Sequence, residues 1–204
     1  LGLEEGLQQH LDAASASDAR TFVAGDAIEV LDYSEGDAAG MPDSHFWTDP
    51  AQMLAVVDAL EPALAEIEGI DPDALQSSVA DYRTELDDLD AEMTDAFARI
   101  PADRRALVTN HHVFGYLAER FDFDVVGAVI PGGTTLAAPS ASDLADLVDA
   151  VEETGVPAIF AESSSPDRLA RALADEADID VEVIELFTES LTDADGGAPD
   201  YLTM

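Results

Sequence analysis

The sequence contains no cysteine and no lysine. Without cysteine, the chain can form neither a disulfide nor a metal site built on thiolates. Its 8 basic residues are all arginines, and 45 acidic residues bring the net charge to −37. Because the phosphate backbone of a nucleic acid must be met by clustered Lys and Arg, this composition argues against a nucleic-acid partner. Direct docking on an anionic membrane is disfavoured for the same reason.

Long apolar runs are also missing. The longest run, residues 125–131, has the length of a strand, whereas a membrane-spanning helix needs about 20 apolar residues. The first ten residues contain Glu4 and Glu5 and no basic group, unlike a signal peptide, and the chain does not begin with Met. We therefore expect the chain to be an internal piece of a longer protein.

The acidic excess accompanies a composition that can still build a core. Hydrophobic residues make up 47% of the chain, which is too many for a disordered acidic tail. In dilute buffer a charge of −37 repels itself and weakens the compact state. At about 1 M salt the Debye length falls to roughly 3 Å, which screens that repulsion. The composition therefore predicts a folded protein adapted to high salt.

Two Asp-Pro pairs, at positions 49–50 and 71–72, predict helix starts with Asp as the N-cap and Pro as the first helical residue. Pro62 should kink or split the first of these helices. The second carries one apolar stripe over residues 71–99, a length of about 43 Å. Such a helix is typical of a spine joining two lobes, and a coiled-coil arm is the alternative.

After Pro101 the pattern changes to regular alternation of strands and helices. Strands are predicted at 106–109, 125–130, 158–161 and 181–186, with helices at 111–121, 141–154 and 165–177 between them. The helix at 141 is preceded by Ser140, with Asp143 three residues on, as in a capping box. Strands of consecutive apolar residues joined by crossover helices predict an α/β fold with a parallel sheet covered on both faces.

Polar residues with metal-ligand chemistry follow several of these strands. His111 and His112 follow the first strand, Glu162 follows the third, and Glu189 comes shortly after the fourth. Ligand sites in parallel sheets lie at the carboxyl ends of the strands, and imidazole with carboxylate suits a divalent transition metal. His45, near the only Trp and just before a helix start, is a further candidate, whereas His10 is expected on the surface.

Two other functions stay open at this point. A metal-dependent hydrolase is possible, because a carboxylate beside a metal-bound water can act as a base. A nucleophilic triad is poorly supported, since the chain has neither cysteine nor a Gly-x-Ser-x-Gly motif. The other alternative is a metal-free α/β interaction domain with a helical arm.

Four motifs, in order, resemble those of the zinc/manganese-type solute-binding proteins of ABC importers. Residues 43–50 (DSHFWTDP) resemble that family's Asp-Pro-His-x-Trp-x-Asp-Pro motif, and residues 108–116 (VTNHHVFGY) its Val-Thr-Ser-His-Asp-Ala-Phe-Gly-Tyr motif. Residues 160–162 (FAE) resemble its Phe-x-Glu strand end, and residues 187–190 with 200–204 its closing segment. The resemblance covers nearly the whole chain.

The resemblance implies a two-lobed α/β solute-binding protein with parallel sheets joined by a long linking helix. On this basis we expect residues 1–70 to be the remainder of an N-terminal lobe that is incomplete, 71–99 the linking helix, and 100–204 the C-terminal lobe. The resemblance further implies no enzymatic activity, an ABC importer permease as partner and a monomeric state. It places the protein outside the cytoplasm, on the cell surface or anchored as a lipoprotein through a segment outside this chain.

The family also implies which residues bind the metal. Ligand roles carry over to His45 and His111, and to Glu189 where the family usually has Asp. Glu162 and His112 are expected to support the ligands or to act as alternative ligands, and the family's first histidine is expected upstream of Leu1. Two imidazoles with a carboxylate favour Zn²⁺ as the transported ion, with Mn²⁺ as the alternative.

Overall fold

The computed structural model describes residues 8–15, 20–34, 38–130, 139–164 and 166–204. These residues form helices around one four-stranded sheet. The α-helices are α1 (Gln8–Ser15), α2 (Pro50–Ala65), α3 (Pro72–Phe97), α4 (Gly115–Phe121), α5 (Ala141–Thr154) and α6 (Arg168–Glu176). The strands are β1 (Ala106–His111), β2 (Asp124–Ile130), β3 (Ala158–Glu162) and β4 (Glu182–Leu186).

The predicted helix caps are confirmed. The Asp49 side chain accepts a hydrogen bond from the Ala51 backbone N at 2.9 Å, and Asp71 accepts from two backbone N–H groups of the first turn of α3. At the start of α5, Ser140 and Asp143 form the predicted capping box. Residue 165, the predicted cap of α6, lies outside the described residues, but Pro166 is not helical, contrary to the prediction, and α6 begins only at Arg168.

Pro62 was predicted to kink or split its helix, and the splitting is wrong, because α2 continues to Ala65. Pro62 lies in the last turn of α2, so the missing N–H removes one intrahelical hydrogen bond close to an end that frays in any case. Contacts with α3 hold this part of α2. Among them, Arg83 of α3 makes ion pairs with Asp58 at 2.5 Å and Glu61 at 3.2 Å.

The long helix is confirmed as one unbroken element. Its 26 residues span about 39 Å, and Leu86 near its middle is buried. It packs along α2, while at its far end the Phe97 ring lies about 5 Å from the rings of Phe121 and Phe123, centroid to centroid. The helix therefore contacts both halves of the chain, as expected of a linking helix rather than a free coiled-coil arm.

The sheet is entirely parallel, in the order β2-β1-β3-β4, which confirms the predicted fold class. The first crossover leaves β1 toward β2, and the next returns past β1 to β3, so the direction of winding reverses between β1 and β3. Ligands in open α/β sheets bind at the carboxyl ends of strands at such a switch point. His111 and Glu162 are the last residues of β1 and β3 and therefore lie at that edge.

The predicted boundary between β1 and the following helix is wrong. His111 was expected at the start of a helix, but it still pairs with Ile130 of β2, and α4 begins only at Gly115.

On one face of the sheet a cluster around Val108, Val151 and Ile159 joins the sheet to α5 and α6. None of the helices in the described part of the chain is both long and apolar enough to cross a bilayer.

Candidate metal centre

His111 reaches the carboxyl edge of the sheet as the last residue of β1. Its side chain is 1% exposed. Its Nδ1 lies 3.2 Å from Oδ1 of Asn110, and its Nε2 lies 3.1 Å from Oε1 of Glu189. The amide oxygen of Asn110 thus occupies the Nδ1 side of the ring, and Nε2 is the nitrogen that faces Glu189.

His45 comes to the same point from the first half of the chain, directly before the short 3₁₀ turn Phe46–Thr48 that leads into α2. Oδ1 of Asp43 accepts from the backbone N of His45 at 2.9 Å and lies 2.7 Å from its Nδ1. The hydroxyl of Tyr33 is 3.2 Å from the same nitrogen. Because a carboxylate can only accept, Nδ1 of His45 carries the proton and Nε2 turns toward Glu189 at 3.3 Å.

Glu189 joins the two histidines. One ligand atom from each of His45, His111 and Glu189 lies within 4.8 Å of the other two. Zinc bonds of about 2.0–2.2 Å in a tetrahedron separate neighbouring ligand atoms by roughly 3.3 Å, close to the two N–O distances here. The histidine side chains are buried and that of Glu189 is 28% exposed, so the group opens to solvent on the Glu189 side. Two nitrogens and an oxygen fit a divalent transition metal and leave a fourth position open.

The electrostatics of the group follow from these contacts. Burial alone would lower the pKa of His45, but the hydrogen bonds to Asp43 and Glu189 outweigh it and raise the pKa to about 9. Hydrogen bonds from His111 and His45 hold the pKa of Glu189 far below its usual range. Without a metal, the site near neutral pH therefore holds an imidazolium at His45 and a carboxylate at Glu189. A metal ion must displace the proton of His45.

Glu162 lies at the end of β3 but is not among the three clustered residues. Its Oε2 accepts from the backbone N of Thr188 at 2.7 Å and from the Thr188 hydroxyl. Its Oε1 accepts from Ser164 N and from the hydroxyls of Ser163 and Ser190, at 3.1–3.2 Å. Although burial opposes ionisation, these hydrogen bonds keep the pKa of Glu162 below its usual range. Both of its oxygens therefore hold the chain around Glu189.

The other candidates lie apart from the cluster. The His112 ring is beside Tyr33, with centroids 6.5 Å apart, and it is not one of the three clustered residues. His10 is exposed on α1, as expected. Sequence reasoning assigned no role to Asp43 and Asn110. The sequence does indicate a supporting role for them, because each lies one or two positions before a candidate histidine and can accept a hydrogen bond from its ring.

All 204 residues match the model of one protein family, described as the zinc-uptake complex component A, periplasmic (ZnuA). The chain belongs to this family, and the resemblance read from the four motifs is confirmed.

The chain is also similar to individual relatives. It is 32% identical over 156 residues to the zinc-binding protein TroA of Treponema pallidum, covering 76% of this chain and 50% of that protein. It is 26% identical over 190 residues to the iron-binding protein YfeA of Yersinia pestis, covering 93% and 60%. It is 27% identical over 184 residues to the manganese ABC transporter substrate-binding lipoprotein PsaA of Streptococcus pneumoniae, covering 90% and 58%. The chain thus spans about 50–60% of the length of these relatives.

Solved structures show the same fold. The periplasmic zinc-binding protein TroA superposes with a TM-score of 0.86 at 29% identity, covering 99% of this chain and 73% of that one. An Mn-bound periplasmic metal-binding protein from Candidatus Liberibacter asiaticus superposes with a TM-score of 0.75, covering 91% and 66%. At 22% identity, the second likeness speaks to the fold alone.

Proposed function

We propose that this protein captures a divalent transition metal outside the cytoplasm and passes it to the permease of an ABC importer, without catalysing a reaction. The observation that carries the proposal is the convergence of His45, His111 and Glu189 at the switch point of the sheet. His45, His111 and Glu189 come from distant parts of the sequence, yet Oε1 of Glu189 lies 3.1 Å from Nε2 of His111 and 3.3 Å from Nε2 of His45. Membership of the zinc-uptake family and the transport names of its relatives support the same role.

Within this role we assign the metal contacts to the Nε2 atoms of His45 and His111 and to a carboxylate oxygen of Glu189. Glu162 supports the ligands by holding the segment that carries Glu189, since both of its oxygens already accept hydrogen bonds. His112 has no direct metal contact in this assignment. A further ligand upstream of Leu1, as the family resemblance implies, would complete a tetrahedron.

Zinc is the proposed cargo. Two neutral imidazoles and one carboxylate suit Zn²⁺, which favours nitrogen ligands in tetrahedral sites, whereas manganese prefers more oxygen. Relatives carry names for both ions: TroA is a zinc-binding protein and PsaA a manganese protein. Manganese is therefore the second candidate.

The wider organisation is proposed on the same basis. We propose a first lobe within residues 1–70, the linking helix within 71–99 and a second lobe within 100–204, which agrees with the contacts of α3 on both sides. We also propose a monomer. Anchoring as a lipoprotein is supported by the lipoprotein name of PsaA, and a place outside the cytoplasm by the periplasmic family description. A surface charge of −37 without lysine supports adaptation to high salt.

Competition against a chelator of known affinity tests the proposal. Measured at molar KCl, the protein should take zinc from the chelator with one ion per chain, and manganese should bind more weakly. His45→Ala and Glu189→Ala should each weaken zinc binding, while His10→Ala, a histidine variant outside the cluster, should not. Equal affinity in all four proteins would reject the site. Stronger binding of manganese than of zinc would make manganese the cargo.

A further inference from the structure

Thr188, the residue before Glu189, is held from two sides. Its carbonyl oxygen accepts a hydrogen bond from the indole Nε1–H of Trp47 at 2.6 Å. Its backbone N–H and its hydroxyl both donate to Glu162. Because β4 ends at Leu186, this segment receives no sheet hydrogen bonds, and these contacts take their place.

The contact with Trp47 joins the segments of two candidate ligands. Trp47 comes two residues after His45, and Thr188 immediately precedes Glu189, so one hydrogen bond spans 141 residues of sequence. Trp47 itself is fixed, because its carbonyl accepts from the Tyr201 hydroxyl at 2.7 Å and its ring packs edge-on against His45, with centroids 5.2 Å apart.

We infer that Trp47 is a positioning residue for metal binding: its indole N–H fixes the Glu189 segment against the His45 segment. This inference rests on the proposed metal-binding role of Glu189. The Glu189 side chain is the most exposed of the three and contacts both histidines, so its place depends on where its backbone is held. Glu162 connects that backbone to β3 through the hydrogen bond from Thr188. Of these backbone hydrogen bonds, only the one from Trp47 connects it to the first half of the chain.

Removing the indole N–H should therefore weaken zinc binding without removing a ligand. Metal–ligand distances tolerate changes of only about 0.2 Å, and a Glu189 segment with more freedom must be ordered when the metal binds. Ordering this freed segment when the metal binds should lower the affinity by about five- to tenfold.

The test uses two replacements of Trp47 and one matched control. Trp47→Phe keeps an aromatic ring and loses the donor. Since Trp47 is the only tryptophan, it can also be replaced during expression by benzothienylalanine, which has sulfur in place of N–H and nearly the same shape. The control is Thr154→Val, which likewise removes a donor to a backbone carbonyl, that of Ala150 at 2.6 Å, on α5. Both Trp47 replacements should bind zinc about five- to tenfold more weakly, and the control should bind as the wild type does.

A second readout needs no metal. In the metal-free protein, the ¹⁵N order parameters of the backbone amides at 188–190 should fall in both Trp47 replacements. In the same two proteins the order parameters of β1 should stay unchanged. In the Thr154→Val protein the order parameters at 188–190 should also stay unchanged. Unchanged order parameters, or a zinc affinity within twofold of the wild type in the benzothienylalanine protein, would overturn the inference. If the wild type binds neither zinc nor manganese, the proposed function fails, and the order parameters alone decide whether Trp47 positions this segment.

Discussion

The raised pKa of His45 makes metal affinity depend steeply on pH in a range where an ordinary histidine would not. His45 binds a metal only after losing a proton that Asp43 and Glu189 stabilise, and its pKa is about 9. The apparent Kd is the limiting value multiplied by 1 + 10^(pKa − pH). The apparent Kd should therefore rise about ninefold from pH 8 to pH 7, which means weaker binding. A histidine with the ordinary pKa of about 6.5 would raise it only about 1.3-fold.

Competition titrations with zinc at pH 7, 7.5 and 8, in buffers that bind zinc weakly, measure this slope. Asp43→Asn keeps the shape of the side chain and removes the carboxylate that raises the pKa of His45, so its slope should be shallower. Glu189 stays ionised over this range because its pKa is depressed, and it adds nothing to the slope. A change of less than twofold between pH 7 and pH 8 in the wild type would refute the reasoning.

The same proton affects the metal-free fold. Because the folded pKa of His45 lies above the unfolded value, its contribution to stability is fully present below about pH 6.5 and is lost as the pH rises through about 9. Chemical denaturation of the metal-free protein at pH 6.5 and pH 9 should show a lower free energy of unfolding at the higher pH. Added zinc should reverse that order, since it binds the deprotonated site.

Three further predictions concern the ligands, the buried glutamate and the surface charge. In isothermal titration calorimetry, His111→Ala should weaken zinc binding by about a hundredfold or more, and unchanged affinity would remove it from the site. Glu162→Gln should lower the free energy of unfolding of the metal-free protein by about 2–4 kcal/mol, because a charged acceptor of five hydrogen bonds is lost. The control, Glu153→Gln on the exposed side of α5, should lower it by less than about 0.5 kcal/mol. The thermal midpoint should rise between about 0.1 M and about 2 M KCl as salt screens the charge of −37, and a flat curve would contradict the predicted salt adaptation.

The parts of the fold that follow local rules could be predicted from the sequence. Asp49 and Asp71 cap their helices because an Asp before a Pro satisfies the first backbone donors whatever lies around it. The alternating apolar segments after Pro101 predicted the parallel sheet, and the motif around His45 predicted which histidines to consider. These features depend on residues within a few positions of one another.

The features that sequence reasoning missed depend on distant partners. His111 stays in β1 because Ile130 of β2 pairs with it. The residues next to His111 in sequence do not indicate that pairing. The hydrogen bonds from Thr188 to Glu162 likewise span 26 positions. Pro62 is tolerated because of where α2 ends and what it packs against, which the proline itself does not encode.

Anomalous diffraction at the zinc edge from crystals of the zinc-loaded protein tests the central claim most directly. We predict one zinc ion at the switch point of the sheet, about 2.0–2.1 Å from Nε2 of His45 and of His111 and about 2.0–2.2 Å from a carboxylate oxygen of Glu189. Zinc bound elsewhere on the chain, or bound at this edge through neither histidine, would contradict the proposed site and the transport function that rests on it.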